Sequence, residues 1–507
     1  MEFKVDTPCF TIRSIEIKGY TKNLFQKSLF GDVDDPDDPA VGRCLGAKGI
    51  NLVMKRIQND IISRGFVTTR VLAEPQDLKI GKLTLTLIPG RIHAIRFAPD
   101  TDFRATQWNA VPASPGDILN LRDIEQALEN FKRVPTAEAD IQITPTAGPD
   151  AKPGESDIVI SWKQAFPARL SLSANDSGSR YTGKYQGAVT LSLDNMLMLN
   201  DLFYGSFTHD LGGSGPGRGT LGYIFHYSVP FGYWLFGFTY SDYEYHQTVA
   251  GASQSYRYSG ETSNGELRLS RVIWRDAVRK TTFGLAGWTR SVRNYIDDTE
   301  VEVQRRRMAG WAVDLEHREF IGRATLYLNL SYRHGTGAMG SLPAPEEAFG
   351  EGSSRPQVLY LNSQFGIPFN IGNQLLSYSI TLRGQLNQTP LIPLDRFAIG
   401  GRFTVRGFDG ENFLIGDSGW LMRNDFGAAL GSTGQEVYFG FDYGEVYGQS
   451  ARFLAGNSLA GSVLGLRGGY GGLGQFSYDA FVGRPLIQPN GFKTSSTTLG
   501  FNLNWTF

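Results

Sequence analysis

The stretch Leu499-Gly500-Phe501-Asn502-Leu503-Asn504-Trp505-Thr506-Phe507 alternates apolar with small or polar side chains at every step and finishes on an aromatic. Successive residues of a strand point to opposite faces, so Phe501, Leu503, Trp505 and Phe507 share one apolar face while Asn502, Asn504 and Thr506 share a polar one. A wall between lipid and water needs that division, and the stretch predicts the closing strand of a transmembrane β-barrel. On these nine residues alone, the edge strand of a soluble sandwich fits nearly as well.

Recurrence decides between the two. Ala324, Leu326, Leu328, Leu330 and Tyr332 alternate with Arg323, Thr325, Tyr327, Asn329, Ser331 and Arg333. Leu376, Tyr378, Ile380 and Leu382 alternate with Ser377, Ser379, Thr381 and Arg383, and Trp234, Phe236, Phe238 and Tyr240 share a third apolar face. Strands with arginine on one side, hydrocarbon on the other and aromatics at their ends suit an outer-membrane barrel, whose lumen tolerates charge and whose interfaces carry aromatic girdles.

Composition narrows the class. The chain has 507 residues, 41% hydrophobic and 12% aromatic, with 61 glycines and a mean hydropathy of -0.23. No apolar run approaches the roughly eighteen residues of a spanning helix, and in lipid only helices and closed barrels satisfy every backbone group. A net charge of -1 gives no basic footprint for nucleic acid. The start, Met1-Glu2-Phe3-Lys4-Val5-Asp6, does not read as a signal peptide; for an exported protein the expectation is a mature chain from which the signal has been removed.

From Phe166 to Phe507 there are 342 residues, and sixteen strands would each have about 21, enough for a transmembrane strand and its connection. The candidate strands begin near Ala168, Tyr185, Leu202, Thr220, Tyr233, Glu266, Thr281, Val301, Arg323, Gln357, Leu375, Gly419, Glu436, Gly461, Gln475 and Thr497. Their number is even, as an up-and-down barrel requires.

The first 165 residues follow another pattern. Phe10, Ile12, Ile15 and Ile17 mark a strand, and Ile50, Val53, Met54, Ile57 and Ile61 fall at helical spacing until Gly65. Strands follow near Val67 to Leu72 and Leu83 to Ile88. After Pro89-Gly90 the order repeats: a strand near Ile92 to Phe97, a helix capped by Asn120 with Leu121, Ile124, Leu128 and Phe131 on one face, then strands near Ile141 to Ile143 and Ile158 to Trp162. Two small α/β units therefore stand in tandem, assigned to 9–90 and 91–165, before a barrel over 166–507. Cys9 and Cys44 lie 35 positions apart. In an oxidising compartment they would close a loop worth about 4 kcal/mol; the alternative is a pair of unrelated thiols. With no histidine near them they give no zinc site.

Between the eleventh and twelfth strands, 386–417 forms a connection too apolar for a disordered loop: it holds Leu391, Ile392, Leu394, Phe397, Ile399, Phe403, Val405 and Phe408. It is expected to fold inward. A guanidinium inside a barrel wall is stable only when its charge and donors are matched, and a carboxylate offers the bidentate geometry arginine suits. Arg406 and Asp442 are the expected pair. The plainer readings are an exposed loop arginine and one more lumen carboxylate.

The strand-helix-strand-strand units resemble the POTRA domains of the Omp85 superfamily, where a second short helix would occupy 22–30 and 103–109. Two such units before a barrel resemble the transporters of two-partner secretion. In that superfamily a VRGF-type tetrad at the tip of the sixth extracellular loop docks on the thirteenth strand at a Phe-x-Asp-x-Gly type motif. Val405-Arg406-Gly407-Phe408 matches the tetrad, and Tyr438-Phe439-Gly440-Phe441-Asp442-Tyr443-Gly444, with Phe441, Asp442 and Gly444, stands where the acceptor belongs. These relatives commonly begin with a plug helix ahead of the first POTRA. Only about nine residues precede the first strand here, so the plug is expected to have been trimmed or to be lacking.

Other motifs fail on context. Gly217-Arg218-Gly219-Thr220-Leu221-Gly222 matches GxGxxG but follows a glycine-rich hairpin loop and opens no helix. There is no Walker A, HExxH or GxSxG sequence, and the six histidines stand at no ligand spacing. No cofactor, metal or catalysis is expected. The resemblance implies a monomeric pore in the bacterial outer membrane with its POTRA domains in the periplasm. They would bind a large secreted exoprotein (adhesin, haemolysin or contact-dependent inhibition toxin), which the barrel exports unfolded without nucleotide hydrolysis. The alternatives are an insertase of the same superfamily, whose members usually carry more POTRA units, a small-solute porin, and an enzyme housed in a barrel.

Overall fold

Helical spacing in the sequence becomes two short helices, each laid on a three-stranded sheet. The computed structural model describes residues 7–19, 39–147, 149, 152–212, 217–250 and 254–507. By internal contacts the chain divides into one unit of Met1–Ala165 with two short later segments and a second formed by the remainder.

In the first unit, α1 (Ala47–Ser63) buries Val53, Ile57 and Ile61 against Leu83, Leu85 and Leu87 of the strand Lys82–Ile88. That strand is central: Ser14–Lys18 pairs with it in parallel and Arg70–Leu72 antiparallel. Gly65, at φ +98, lets the chain turn sharply just past the helix. The second module repeats the topology, with Glu155–Gln164 between Arg91–Phe97 in parallel and Ala137–Pro145 antiparallel. Its helix α2 (Leu121–Phe131) is capped by the Asn120 side chain, which accepts the Arg122 amide at 2.9 Å. Arg70–Leu72 and Ala137–Pro145 are thus both edge strands. Cys9 and Cys44 are joined in a disulfide, beside a ribbon that pairs Thr11 with Cys44.

The expected extra helix at 22–30 lies outside the described residues. The one expected at 103–109 does not form: that segment is a run of turns. Asp102 accepts the Arg104 amide at 3.0 Å and holds the Arg104 guanidinium at 2.7 Å, a local side-chain closure that competes with helix hydrogen bonding.

The second unit is a closed barrel of sixteen long antiparallel strands: β1 (Ala168–Asn175), β2 (Gln186–Asp194), β3 (Leu202–Asp210), β4 (Gly219–Phe231), β5 (Trp234–Ala250), β6 (Ser255–Arg275), β7 (Arg279–Ile296), β8 (Arg306–Ile321), β9 (Ala324–Thr336), β10 (Gln357–Ile371), β11 (Gln374–Asn387), β12 (Ser418–Ala429), β13 (Gln435–Tyr447), β14 (Ser458–Gly472), β15 (Gly474–Ile487) and β16 (Thr498–Thr506). A two-residue strand, Thr299–Glu300, folds back on the end of β7. β16 pairs with β15 over nine residues and with β1 from Asn502 to Thr506, which closes the cylinder.

Alternation sorts the side chains as a lipid-facing wall demands. Leu503, Trp505 and Phe507 of the last segment are well exposed and continue an aromatic row, Trp505 lying 4.7 Å from Phe507 and 6.5 Å from Phe476. Phe501 shares their face and packs 6.0 Å from Tyr185. The sixth strand starts at Ser255 rather than near Glu266, and runs for 21 residues. A strand needs only about 9 to 11 residues to cross the bilayer; in the rest, where Ser255–Ser263 pairs with Asp242–Ala250, the face that carries Phe238 and Leu267 further down holds Asp242, Glu244, His246, Arg257, Ser259 and Glu261, so the apolar lipid-facing row is missing.

Candidate functional site

The connection from β11 to β12 turns inward as a ribbon in which Phe397–Ile399 pairs antiparallel with Leu414–Gly416. Thr404 tightens its tip by accepting the amides of Gly400 and Gly401 at 3.1 and 3.0 Å. Ile399, Val405, Phe408 and Leu414 form a buried cluster with Leu421 of β12, Val446 of β13 and Leu459 of β14, while Phe408 meets Phe492 edge to face at 5.8 Å. Of the apolar residues that argued against a disordered loop, Leu391, Ile392, Ile399, Val405 and Phe408 are buried where it seats, with Phe397 packed beside them, while Leu394 and Phe403 stay exposed.

Arg406, 2% exposed, lies on this floor. Its Nε and Nη2 donate to Oδ2 and Oδ1 of Asp442, each at 2.7 Å, and its backbone amide donates to Oδ2 at 2.9 Å. Nη2 also donates to Asp425 at 2.6 Å. Fork-on-carboxylate geometry combines direction with charge, which a single-point contact lacks. Arg423 stands 3.7 Å from Asp442, and Arg467 bridges Asp425 at 3.2 Å and Glu436 at 2.6 Å. Three guanidinium groups thus face three carboxylates, and the buried cluster is balanced. Balance matters because an uncompensated charge in a dry site costs several kcal/mol.

The wall beneath the tetrad is made of glycine. A Cβ on Gly440 would come 2.7 Å from Arg406 Nη2, one on Gly444 would come 2.9 Å from a Val405 methyl, and one on Gly483 would come 3.0 Å from the Cα of Gly407. Gly407 itself has φ +97 and lies against the Arg484 carbonyl. Side-chain-free wall and left-handed tip together let two backbones touch.

A second tie holds the descending limb. Asp409 accepts the Ser495 amide and hydroxyl, both at 2.9 Å, and the Glu411 amide at 3.2 Å. Burial alone would raise the Asp409 carboxyl, but those donors outweigh it and hold it below the ordinary carboxylate range.

Of the residues expected at the site, Val405, Arg406, Gly407, Phe408, Asp442 and Gly444 are brought together. Phe441 is not among them: as the strand neighbour of Asp442 it takes the other face, and the residue two before Asp442 is Gly440, where Arg406 leaves no room for a ring. Five partners went unread in the sequence: Arg423, Asp425, Arg467, Glu436 and Tyr438. The Tyr438 ring lies 5.8 Å from the Arg406 guanidinium and 4.8 Å from that of Arg467, and its hydroxyl donates to Asp479 at 2.8 Å. The alternation of Arg423 and Asp425 along β12 is the sequence signal that would have pointed to them; the structure puts Arg423 in register with Asp442.

A sixteen-stranded barrel with an inward loop seated by a buried arginine, following two α/β modules in the chain, defines the class of outer-membrane transporters with POTRA domains. The family model for haemolysin secretion/activation proteins ShlB/FhaC/HecB matches residues 154–468, and the chain belongs to that family. A ShlB-type POTRA model matches residues 10–90 and a second POTRA model residues 91–145. The chain is similar to the outer membrane transporter CdiB-2 of Burkholderia pseudomallei, at 37% identity over 99% of this chain and 87% of that one. It is also similar to the hemolysin transporter protein HpmB of Proteus mirabilis, at 24% identity over 91% and 78%. Among solved structures, CdiB from Acinetobacter baumannii aligns with a TM-score of 0.86 at 29% identity, covering 99% of this chain and 91% of that one. The protein is therefore an outer-membrane transporter of the two-partner secretion type, and POTRA domains in this family face the periplasm.

Proposed function

We propose that the chain is a monomeric, passive pore that captures an unfolded partner exoprotein in the periplasm through its POTRA domains and releases it at the cell surface without nucleotide hydrolysis. A haemolysin or contact-dependent inhibition toxin as cargo is supported by the relatives named above, and an adhesin remains the further class that the resemblance implies. The observation that carries the reading is the docked arginine: a loop held inside a barrel by a balanced ionic cluster is a natural obstruction, and a pore for a chain must be able to shift it. Arg406, on the Val405–Phe408 tetrad, is the docking residue and Asp442 its acceptor, with Gly444 leaving room beside it. The edge strands Arg70–Leu72 and Ala137–Pro145 suit capture, because an extended cargo can pair with them main chain to main chain with little regard to side-chain sequence.

The test is secretion in a host that lacks such systems. Cells producing this chain and the exoprotein encoded beside it should release that exoprotein, and cells lacking either should not. Reconstituted vesicles holding the chain alone should export cargo without ATP; a strict requirement for ATP hydrolysis would end this reading.

A further inference from the structure

The lumen face of a barrel is expected to be polar, yet four consecutive lumen-facing positions of β7 are Ala286, Trp288, Arg290 and Val292, and the three apolar ones are buried. Trp288 and Ala286 join Met308 and Ala312 of β8 in an apolar cluster whose remaining members come from loops: Ala344, and Ile392 from the root of the infolded segment, which is fully buried. Three residues further on, Asp395 receives Arg290 Nη1 at 2.5 Å, with both side chains largely buried. Arg290 is itself aimed by Asn264, which accepts its Nε at 3.1 Å. Gln385 of β11 donates to the Asp395 and Asp417 carbonyls at 2.8 and 3.0 Å and so fixes the root's backbone.

We infer that the infolded loop has a second, independent docking site, in which Asp395 and Ile392 seat its root on Arg290 and the apolar patch of β7 and β8. Arg290 lies on β7 and Asp442 on β13, six strands around the wall. The two sites carry opposite polarity: the tip offers a cation to carboxylates, and the root offers a carboxylate to a cation. An apolar patch on a wet wall has no value to a pore unless something covers it; here Ile392 and Ala344 cover it, with the Arg333 guanidinium 4.2 Å from the centre of the Trp288 ring. The root is a positioning element. With it in place, release of Arg406 loosens the tip on β12–β15 but leaves the segment tethered at its root, beside the tie of Asp409 to Ser495 and the pair of Arg402 with Asp176, so opening by Arg406 release alone is partial and breaking the root dock widens it further. This inference rests on the reading above that the infolded segment obstructs the pore.

Single-channel conductance in planar bilayers separates the two. Arg406→Ala alone tests the obstruction; Asp395→Asn added to it tests the root. The double variant should conduct more than Arg406→Ala, Arg290→Gln in the same background should reproduce that gain, and the exchange of Arg290→Asp with Asp395→Arg should reverse it. Heat-modifiable migration of each barrel confirms assembly. A double variant no more conductive than Arg406→Ala, or a charge exchange that fails to restore the lower level, overturns the second dock while leaving the obstruction intact. If Arg406→Ala leaves conductance at the wild-type level, the obstruction itself is wrong.

Discussion

The carbonyl of Arg406 rests on Gly461 of β14, so close that a Cβ at Gly461 would collide with it. Backbone on backbone is the tightest approach two segments can make, and one methyl group abolishes it. Gly461→Ala is therefore expected to lift the tip of the infolded loop without touching its arginine. Limited proteolysis of the purified protein should cut within 400–413 faster than in wild type, with heat-modifiable migration of the barrel retained. Unchanged cleavage would show that the tip does not need this seat.

Asp442 and Asp425 should differ in cost. Asp442 accepts three of the four hydrogen bonds that Arg406 donates, counting its amide, whereas Asp425 accepts one and is shared with Arg467. Removing one partner of a buried pair costs about 3 to 5 kcal/mol, so Asp442→Asn should free the loop about as fully as Arg406→Ala, and Asp425→Asn should have the smaller effect. A double-mutant cycle on loop-cleavage rates reads the coupling directly. Equal effects of the two aspartates would contradict the assignment.

The sixteen strands, their order and the infolded loop were legible because lipid and lumen impose a period of two on every membrane-crossing segment. What the sequence concealed lay where that constraint lapses. β6 extends beyond the apolar band, and from Ser255 to Ser263 the face that carries Leu267 and Leu269 further on holds Arg257, Ser259 and Glu261, so no lipid-facing row marks its start. The segment 103–109 has helix-compatible residues, but Asp102 and Arg104 bind each other instead. At the site, Arg406 and Asp442 were found through a motif, whereas Asp425, Arg467 and the glycines at 440, 461 and 483 come together through the register of the neighbouring strands β12 to β15, which side-chain alternation alone does not give.

The Cys9–Cys44 disulfide closes a 35-residue interval, for which chain entropy gives about 4 kcal/mol. Reduction, or Cys9→Ser with Cys44→Ser, should make the first module of the intact protein sensitive to protease at lower urea concentrations. Barrel migration should stay as it was.

Asn120 caps α2 with its side chain, and its oxygen would also collide with any side chain placed at Gly65. Asn120→Ala should destabilise the second module by about 1 kcal/mol, whereas Gly65→Ala, which adds strain at φ +98, should cost more. Hydrogen exchange of the α2 amides would rank them. The reverse order would mean that the turn tolerates a side chain better than the helix tolerates an open end.

The most direct measurement is the amount of partner exoprotein released by cells carrying Arg406→Ala, compared with wild type at matched barrel levels in the outer membrane. If the loop must reseat through Arg406 to carry the cargo past it, release should fall sharply while the barrel remains assembled, even though the freed loop alters ion conductance. Release equal to wild type, with the loop shown by proteolysis to be free, would mean that export takes place without regard to where Arg406 sits.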